Sequence, residues 1–338
     1  MIKKIWNNLQ EFETRDLVER YIGKTYDRKA SARQIIEITS NFIQGKEYFR
    51  NAADANISVK PLLLYYGVSA LSRGLILACS PHISESSLKP SHGLSTNNWQ
   101  EVLSRKDFQS LSVSITQGTF NDLLVNTKNK SNFRHNTNAI NWNVDFPIPP
   151  IGTIINFAQL VQTIPDLKEQ YERWTERRLP FLRLQQFMHH GESHYEYTIY
   201  KKKINEEDIA DIFSKEQFGD YSISEEKSYL KLIVAGNKVP QFSQSFADPF
   251  NTGMGDVVIT RQVNPGTNLS LLGQYYSLSF FLGMLCRYFP SIWISLSRTE
   301  KGDAIFPLLT RIMDDIETIY PSIVLDFLRA NAEKPIKE

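Results

Sequence analysis

The stretch at residues 60–79, KPLLLYYGVSALSRGLILAC, constrains the fold more than any other part of the chain. At helical spacing Leu63, Tyr66, Ala70, Leu71, Gly74, Leu75 and Leu77 supply apolar or small positions nearly all round. Lys60, Ser69, Ser72 and Arg73 are the polar breaks. A helix with so little polar face must be surrounded by other elements, so the pattern predicts a central one. Pro61 falls in the first turn, where a missing N–H has no intrahelical partner to lose, and Cys79-Ser80-Pro81 ends the run. Each glycine costs a helix roughly 1 kcal/mol relative to alanine. The small residues Gly67, Ser69, Ala70, Ser72 and Gly74 are therefore read as a face that another helix approaches closely, and the buried tyrosine hydroxyls of the stretch need partners.

Residues 28–55 read as a long amphipathic helix, with Ala32, Ile35, Ile36, Ile38, Phe42, Ile43, Tyr48, Phe49 and Ala52 recurring at three and four. The short linker at 54–59 returns the chain into the central helix, so the pair is an antiparallel helical hairpin. Residues 269–296 are again apolar, with Pro290 forcing a break between LGMLCRYF and SIWISL. Residues 303–330 close the chain with Ile305, Leu308, Leu309, Ile312, Met313, Ile316 and Ile319 at helical spacing, then Pro321 and a last short helix. Residues 1–26 add one or two short helices anchored by Trp6, Phe12 and Tyr21.

Between these lie two other styles of sequence. Residues 81–150 are rich in Ser, Asn, Thr and Pro, which favours turns and short strands, with a strand at Leu111, Val113 and Ile115 and a turn at Gly118. Residues 154–163 and 168–178 read as helices. Beyond Pro180, YEYTIY at 195–200, YLKLIVA at 229–235 and DVVITRQV at 256–263 have strand composition, and 205–213 reads as a helix capped by Asn205. The expected fold is mainly α (α+β): a single domain over 1–338, a helical bundle around the hairpin. Its helical core comes from 28–80, 151–180 and 268–330, with a polar short-strand region at 81–150 and a small α+β insert at 190–265.

With 38 Lys and Arg against 37 Asp and Glu, the net charge of +1 argues against a chain that coats nucleic acid over its whole surface. The two cysteines, Cys79 and Cys286, sit in apolar helical contexts, as buried free thiols in a reducing compartment do. The start MIKKIWNNLQEFETRD turns polar where a signal peptide would turn apolar. Arg287 and Pro290 interrupt the other long apolar run. A soluble, cytoplasmic protein is expected, with no membrane partner.

The segments QGKEYFRNAADANISVKPLLLYYGVSALSRGLIL, HGLST at 92–96, IPDL at 164–167 and FLGMLCRYFPSIWISL come in an order that resembles the YaaC family of bacterial proteins. The resemblance runs from about Arg33 to about Leu328, and the hairpin and HGLST are its most specific parts. It implies a cytoplasmic, mainly helical bacterial protein with no assigned activity.

The sharpest candidate for chemistry is RLQQFMHHGESH at 183–194. Arg183 and His189 have the R-x5-H spacing of HEPN-type ribonucleases, which need no metal: the histidine serves as general acid or base, and the arginine stabilises charge on a scissile phosphate. The small-residue hairpin also looks like the helical core of HEPN domains. The plainer reading makes the segment the end of a helix carrying cations that favour its dipole. His190 and His194 with Glu192 between them suggest a metal pair, but Gly191 interrupts the helix that would align them, so no metal and no cofactor is expected. Lys128, Lys130, Arg134 and His135, with Phe133 among them, form a basic loop suited to phosphates, and Lys201 to Lys203 form a second cluster. His92 is a lone loop histidine. The glycine-rich 246–255 loop lacks the lysine and spacing of a phosphate loop, and no nucleophile elbow is present. The leading expectation is a helical interaction or adaptor protein, a homo-oligomer or a subunit within a bacterial multi-component system such as phage defence. The alternatives are the metal-independent ribonuclease and a module binding RNA or DNA.

Overall fold

The computed structural model describes residues 2–134, 139–190, 193–201, 204–247, 249–250, 257–298 and 303–333. The chain forms two compact units, the first from Met1–Asn129, Ile148–Phe157 and Ser270–Glu338, the second from Lys130–Pro147 and Ala158–Leu269. The segment 190–265 lies wholly inside the second.

In chain order the first unit opens with α1 (Ile2–Leu9), α2 (Arg15–Tyr26), α3 (Ala32–Ala53) and α4 (Lys60–Cys79). Strand β1 (His92–Thr96), α5 (Trp99–Ser104), β2 (Ser112–Gly118) and α6 (Thr119–Asn126) follow. The second unit begins with the hairpin β3 (Lys130–Phe133) and β4 (Trp142–Asp145), and β5 (Ile154–Asn156) returns to the first. Then come α7 (Phe157–Gln162), α8 (Lys168–Thr175), β6 (Leu182–His190), β7 (His194–Tyr200), α9 (Glu206–Ile212) and α10 (Lys215–Phe218). Strands β8 (Ser222–Glu225) and β9 (Tyr229–Ala235), α11 (Val239–Ser243), β10 (Phe246–Ala247) and β11 (Val258–Ile259) complete the second unit. The chain ends in the first with α12 (Leu271–Tyr288), α13 (Pro290–Leu296) and α14 (Phe306–Ala332).

The expectation of a mainly helical chain is corrected. Antiparallel sheets of three strands (β1-β2-β5), two (β3-β4) and six (β10-β11-β6-β7-β9-β8) make this an α+β protein. The largest miss is β6. LRLQQFMHH holds no Val, Ile or Thr, the β-branched residues that favour strands, and a register shift between Leu184 and Gln186 breaks its alternation. Its cations therefore lie on a strand and not at a helix end. The 154–163 helix also begins with a strand, β5.

In the first unit α4 is the hub. The hairpin with α3 starts at Ser31, whose hydroxyl accepts from the Gln34 N–H. A Cβ on Gly67 would lie 2.7 Å from the Phe49 ring and one on Gly74 2.8 Å from the Phe42 ring, so the small-residue face is in contact with α3. On another side Tyr65 fills the space beside Gly283 of α12. Ser72 meets the Tyr320 hydroxyl of α14 at 2.6 Å, and Lys60 pairs with Glu317 at 2.7 Å. By length and apolar content α4 would suit a membrane span, yet 67% of its most apolar window is buried inside the unit. Pro290 breaks α12 from α13 with a bend of 109°, as the sequence predicts. Pro321 does not break α14, which runs on through it for 27 residues. A helix-interior proline costs ~3 kcal/mol. Buried Ile319, Tyr320, Ile323 and Val324 around it offset that cost by holding both halves against the core.

The second unit has its own core, with Leu182, Leu184, Tyr197, Ile199, Leu230, Leu232 and Val234 from the sheet against Ile209, Ile212, Phe213, Phe218 and Phe242. Asn205 caps α9 in a reciprocal box with Asp208, as expected.

Candidate functional site

Strand alternation builds the site. Across the β6–β7 pair Phe187 faces Tyr197 and His189 faces Tyr195, so these four rings share one face of the sheet. Trp142 of β4 stacks on Phe187 with centroids 5.6 Å apart and planes at 19°, and Phe187 stacks on Tyr195 at 5.2 Å and 24°. His189 continues the row, 4.4 Å from Tyr195. Beside it opens a groove of about 590 Å³, lined by Trp142 to Pro147, Phe187, Tyr195, Val239, Pro240, Ser243 and Gln244. That volume falls within the ordinary range of ligand sites.

The polar groups of the groove are spare. The Trp142 indole N–H, the Tyr195 hydroxyl and the side-chain amides of Asn143 and Gln244 make no hydrogen bond among the described residues. Under the row Tyr197 is 1% exposed, packed 5.1 Å from Phe187, with a hydroxyl that has no partner among the described residues. Burial pushes its pKa up, and the neighbouring Tyr195 adds to the effect. Among the described residues Asp145 is the one charged residue lining the groove, and Lys130 pairs with it at 3.1 Å; on the opposite face of the sheet Lys231 lies 3.4 Å from Glu196 and 2.8 Å from Glu226.

A second hollow, of about 650 Å³, lies in the first unit around Trp99, Gln100, Glu101 and Phe289. There the tryptophan serves the fold, its indole N–H donating to the Ser112 carbonyl at 2.7 Å and its ring stacked on Phe281.

The predicted site residues scatter. Arg183 and His189 are both exposed on β6, six positions apart. At about 3.3 Å per residue they are ~20 Å from each other, too far to act on one phosphate. Arg183 lies over the Tyr200 ring, and His189 belongs to the aromatic row. Lys128 sits in a left-handed turn after α6, Lys130 is paired, Arg134 is half-buried with a partner, and His135 lies outside the described residues. Lys201 pairs with Glu225, while Lys202, Lys203 and most of the 246–255 loop lie outside the described residues. The His190 and His194 rings stack at 4.6 Å, Glu192 lies outside the described residues, and among those described no group of three metal ligands occurs.

His92 has a defined place in the first unit. The Tyr65 hydroxyl meets its Nδ1 at 2.5 Å, and the Tyr276 hydroxyl donates to its carbonyl at 2.9 Å. Burial first, and Arg287 second, hold its pKa below the ordinary value, so the ring is neutral. Desolvation pushes Tyr276 up to about 12 and Tyr65 further, so both phenols stay protonated as donors. The group is a half-buried hydrogen-bonded network that ties β1 to α4 and α12.

What sequence reasoning missed is the row itself. Its signal was Trp142 in NWNVDF and Tyr195, alternating with the buried Tyr197, in YEYTIY: Trp142 and Tyr195 are half-exposed aromatics that a strand's buried face alone would not need.

No curated protein and no solved structure matches this chain. The sequence pattern of the YaaC-like proteins does match it, over residues 10–328, from before α2 to the last buried turn of α14. The chain belongs to the YaaC-like family.

Proposed function

We propose that the protein is an interaction protein, an adaptor or subunit of a bacterial multi-component assembly, and that its second unit holds the partner in the aromatic groove. The observation that supports this reading is the groove's pairing of a rigid row of half-exposed rings with four unspent hydrogen-bonding side chains. Aromatic anchors of this kind dominate the energetics of binding surfaces. Side chains already locked by mutual stacking lose little freedom when a partner arrives. Of the two cation clusters that favoured nucleic acid, Lys130 pairs with Asp145 and Lys201 with Glu225, and the separation of Arg183 from His189 along β6 weighs against the ribonuclease.

The test is recovery of the partner. The tagged chain, purified from the cells it comes from, is expected to carry a stoichiometric partner that Phe187→Ser releases and that Ile36→Ser, on the exposed face of α3, leaves in place. A strict monomer by light scattering with nothing bound, or cleavage of RNA in EDTA that His189→Ala abolishes, would overturn the reading.

A further inference from the structure

Resting on the groove as the partner's seat, we infer that its occupant is an extended, proline-containing segment of the partner protein, in the polyproline II conformation and flanked by basic residues. The length fits. The Trp142–Phe187 centroid step is 5.6 Å. Phe187 and His189 lie two residues apart on β6, which adds about 7 Å, so the row runs about 12 Å. At 3.1 Å per residue that is roughly four residues of polyproline II.

The hydrogen-bonding sense also fits. An indole N–H can only donate, and here it is joined by a phenol hydroxyl and two amide groups that can donate. A proline-rich segment is the complementary ligand, because each proline lacks an N–H and the polyproline II helix leaves its carbonyls unpaired. Strand β7 is paired on both sides, by β6 and β9, so its rings meet a ligand through side chains on the face of the sheet and not through a free backbone edge.

Charge decides against the other aromatic-loving ligands. Stacked bases bring phosphates, and the one charged residue lining the groove is an acid, Asp145, paired with Lys130. Across the second unit acids outnumber lysines and arginines, which favours cationic flanks on the incoming segment.

The experiment is a fluorescence titration of the full chain, read through Trp142 against Trp142→Phe as the reference for the other tryptophans. The probes are a synthetic peptide with an Arg-Pro-Pro-Leu-Pro-Pro core, a Gly/Ser peptide of equal length and charge, an oligouridylate and an oligosaccharide of glucose. Saturable binding of the proline peptide alone is expected, weakened about tenfold by Tyr195→Ala, as for loss of an aromatic anchor. Gln244→Ala and Asn143→Ala, which touch no core contact, are expected to weaken it about threefold each, as for loss of one neutral hydrogen bond. Equal binding of the Gly/Ser peptide, preference for the oligouridylate or the oligosaccharide, or indifference to Gln244→Ala, Asn143→Ala and Tyr195→Ala together would overturn the inference. A native partner that Phe187→Ser releases but the proline peptide does not displace would overturn this inference and leave the groove reading standing. A partner indifferent to Phe187→Ser would overturn the groove reading itself.

Discussion

At the scale of single residues the sharpest constraints are two glycines. Gly93 and Gly118 sit at φ +78° and +142°, and a Cβ on Gly118 would lie 2.6 Å from the Ser91 carbonyl oxygen and 2.7 Å from the Gly93 nitrogen. Neither backbone can retreat without breaking the β1–β2 ladder. Gly118→Ala is therefore expected to cost on the order of 2–4 kcal/mol, read as a fall in the urea midpoint at unchanged slope. Tyr197 carries the opposite sign. Its buried hydroxyl has no partner among the described residues, so Tyr197→Phe removes a desolvation penalty and is expected to raise the unfolding free energy by about 1 kcal/mol. His92 gives a pH dependence. Its folded pKa lies below the ordinary 6.5, so below that value the unfolded chain binds more protons and stability falls as the pH drops toward the folded pKa. Between about pH 7.5 and about pH 5.5 the urea midpoint of the native chain should fall more than that of His92→Gln. Asp122 is shifted upward by burial and contributes with the other sign, equally in both variants.

At the scale of elements, what could be read in advance and what could not divides by range. The α3–α4 hairpin and the Pro290 break announce themselves through apolar period and local chain stops, which act within a few residues. Gly67 and Gly74 announced a close approach, and the Phe49 and Phe42 rings fill the space. Gly67→Ile is expected to destabilise by about 2 kcal/mol through overpacking, seen as a lower midpoint of thermal unfolding. Strand β6 was hidden because its residues are neutral toward strands. It is extended because β7 and β11 pair with it, a cause lying outside its own sequence. The uninterrupted α14 was hidden for a similar reason, the packing that overrides Pro321 being tertiary. The groove was the least legible part. It is assembled from β4, β6, β7 and α11, and no local window contains two of its walls except the β6–β7 hairpin.

At the scale of the whole molecule each unit is closed by chain distant in sequence. Residues 148–157 and 270 onward return to the first unit, and the hairpin 130–147 joins the second from before that return. Because the second unit has its own core, a destabilising change in the first, such as Gly67→Ile, is expected to leave the Trp142 environment intact until the second unit melts. Two unfolding transitions, one followed by far-ultraviolet dichroism of the helices and one by the Trp142 signal, would show it. Coincident transitions in both the native chain and Gly67→Ile would refute it.

The position of α4 has a consequence for biosynthesis. Its covering helices α12 and α14 follow about 190 residues later in the chain. At 5–20 residues per second the ribosome needs roughly 10–40 s to reach them. For that interval the most apolar helix of the protein has α3 and α6 to shelter it but neither α12 nor α14, so the nascent chain presents a hydrophobic surface throughout translation of the second unit. Cells depleted of nascent-chain chaperones should accumulate this protein as aggregate, and messages cut before codon 270 should yield insoluble product.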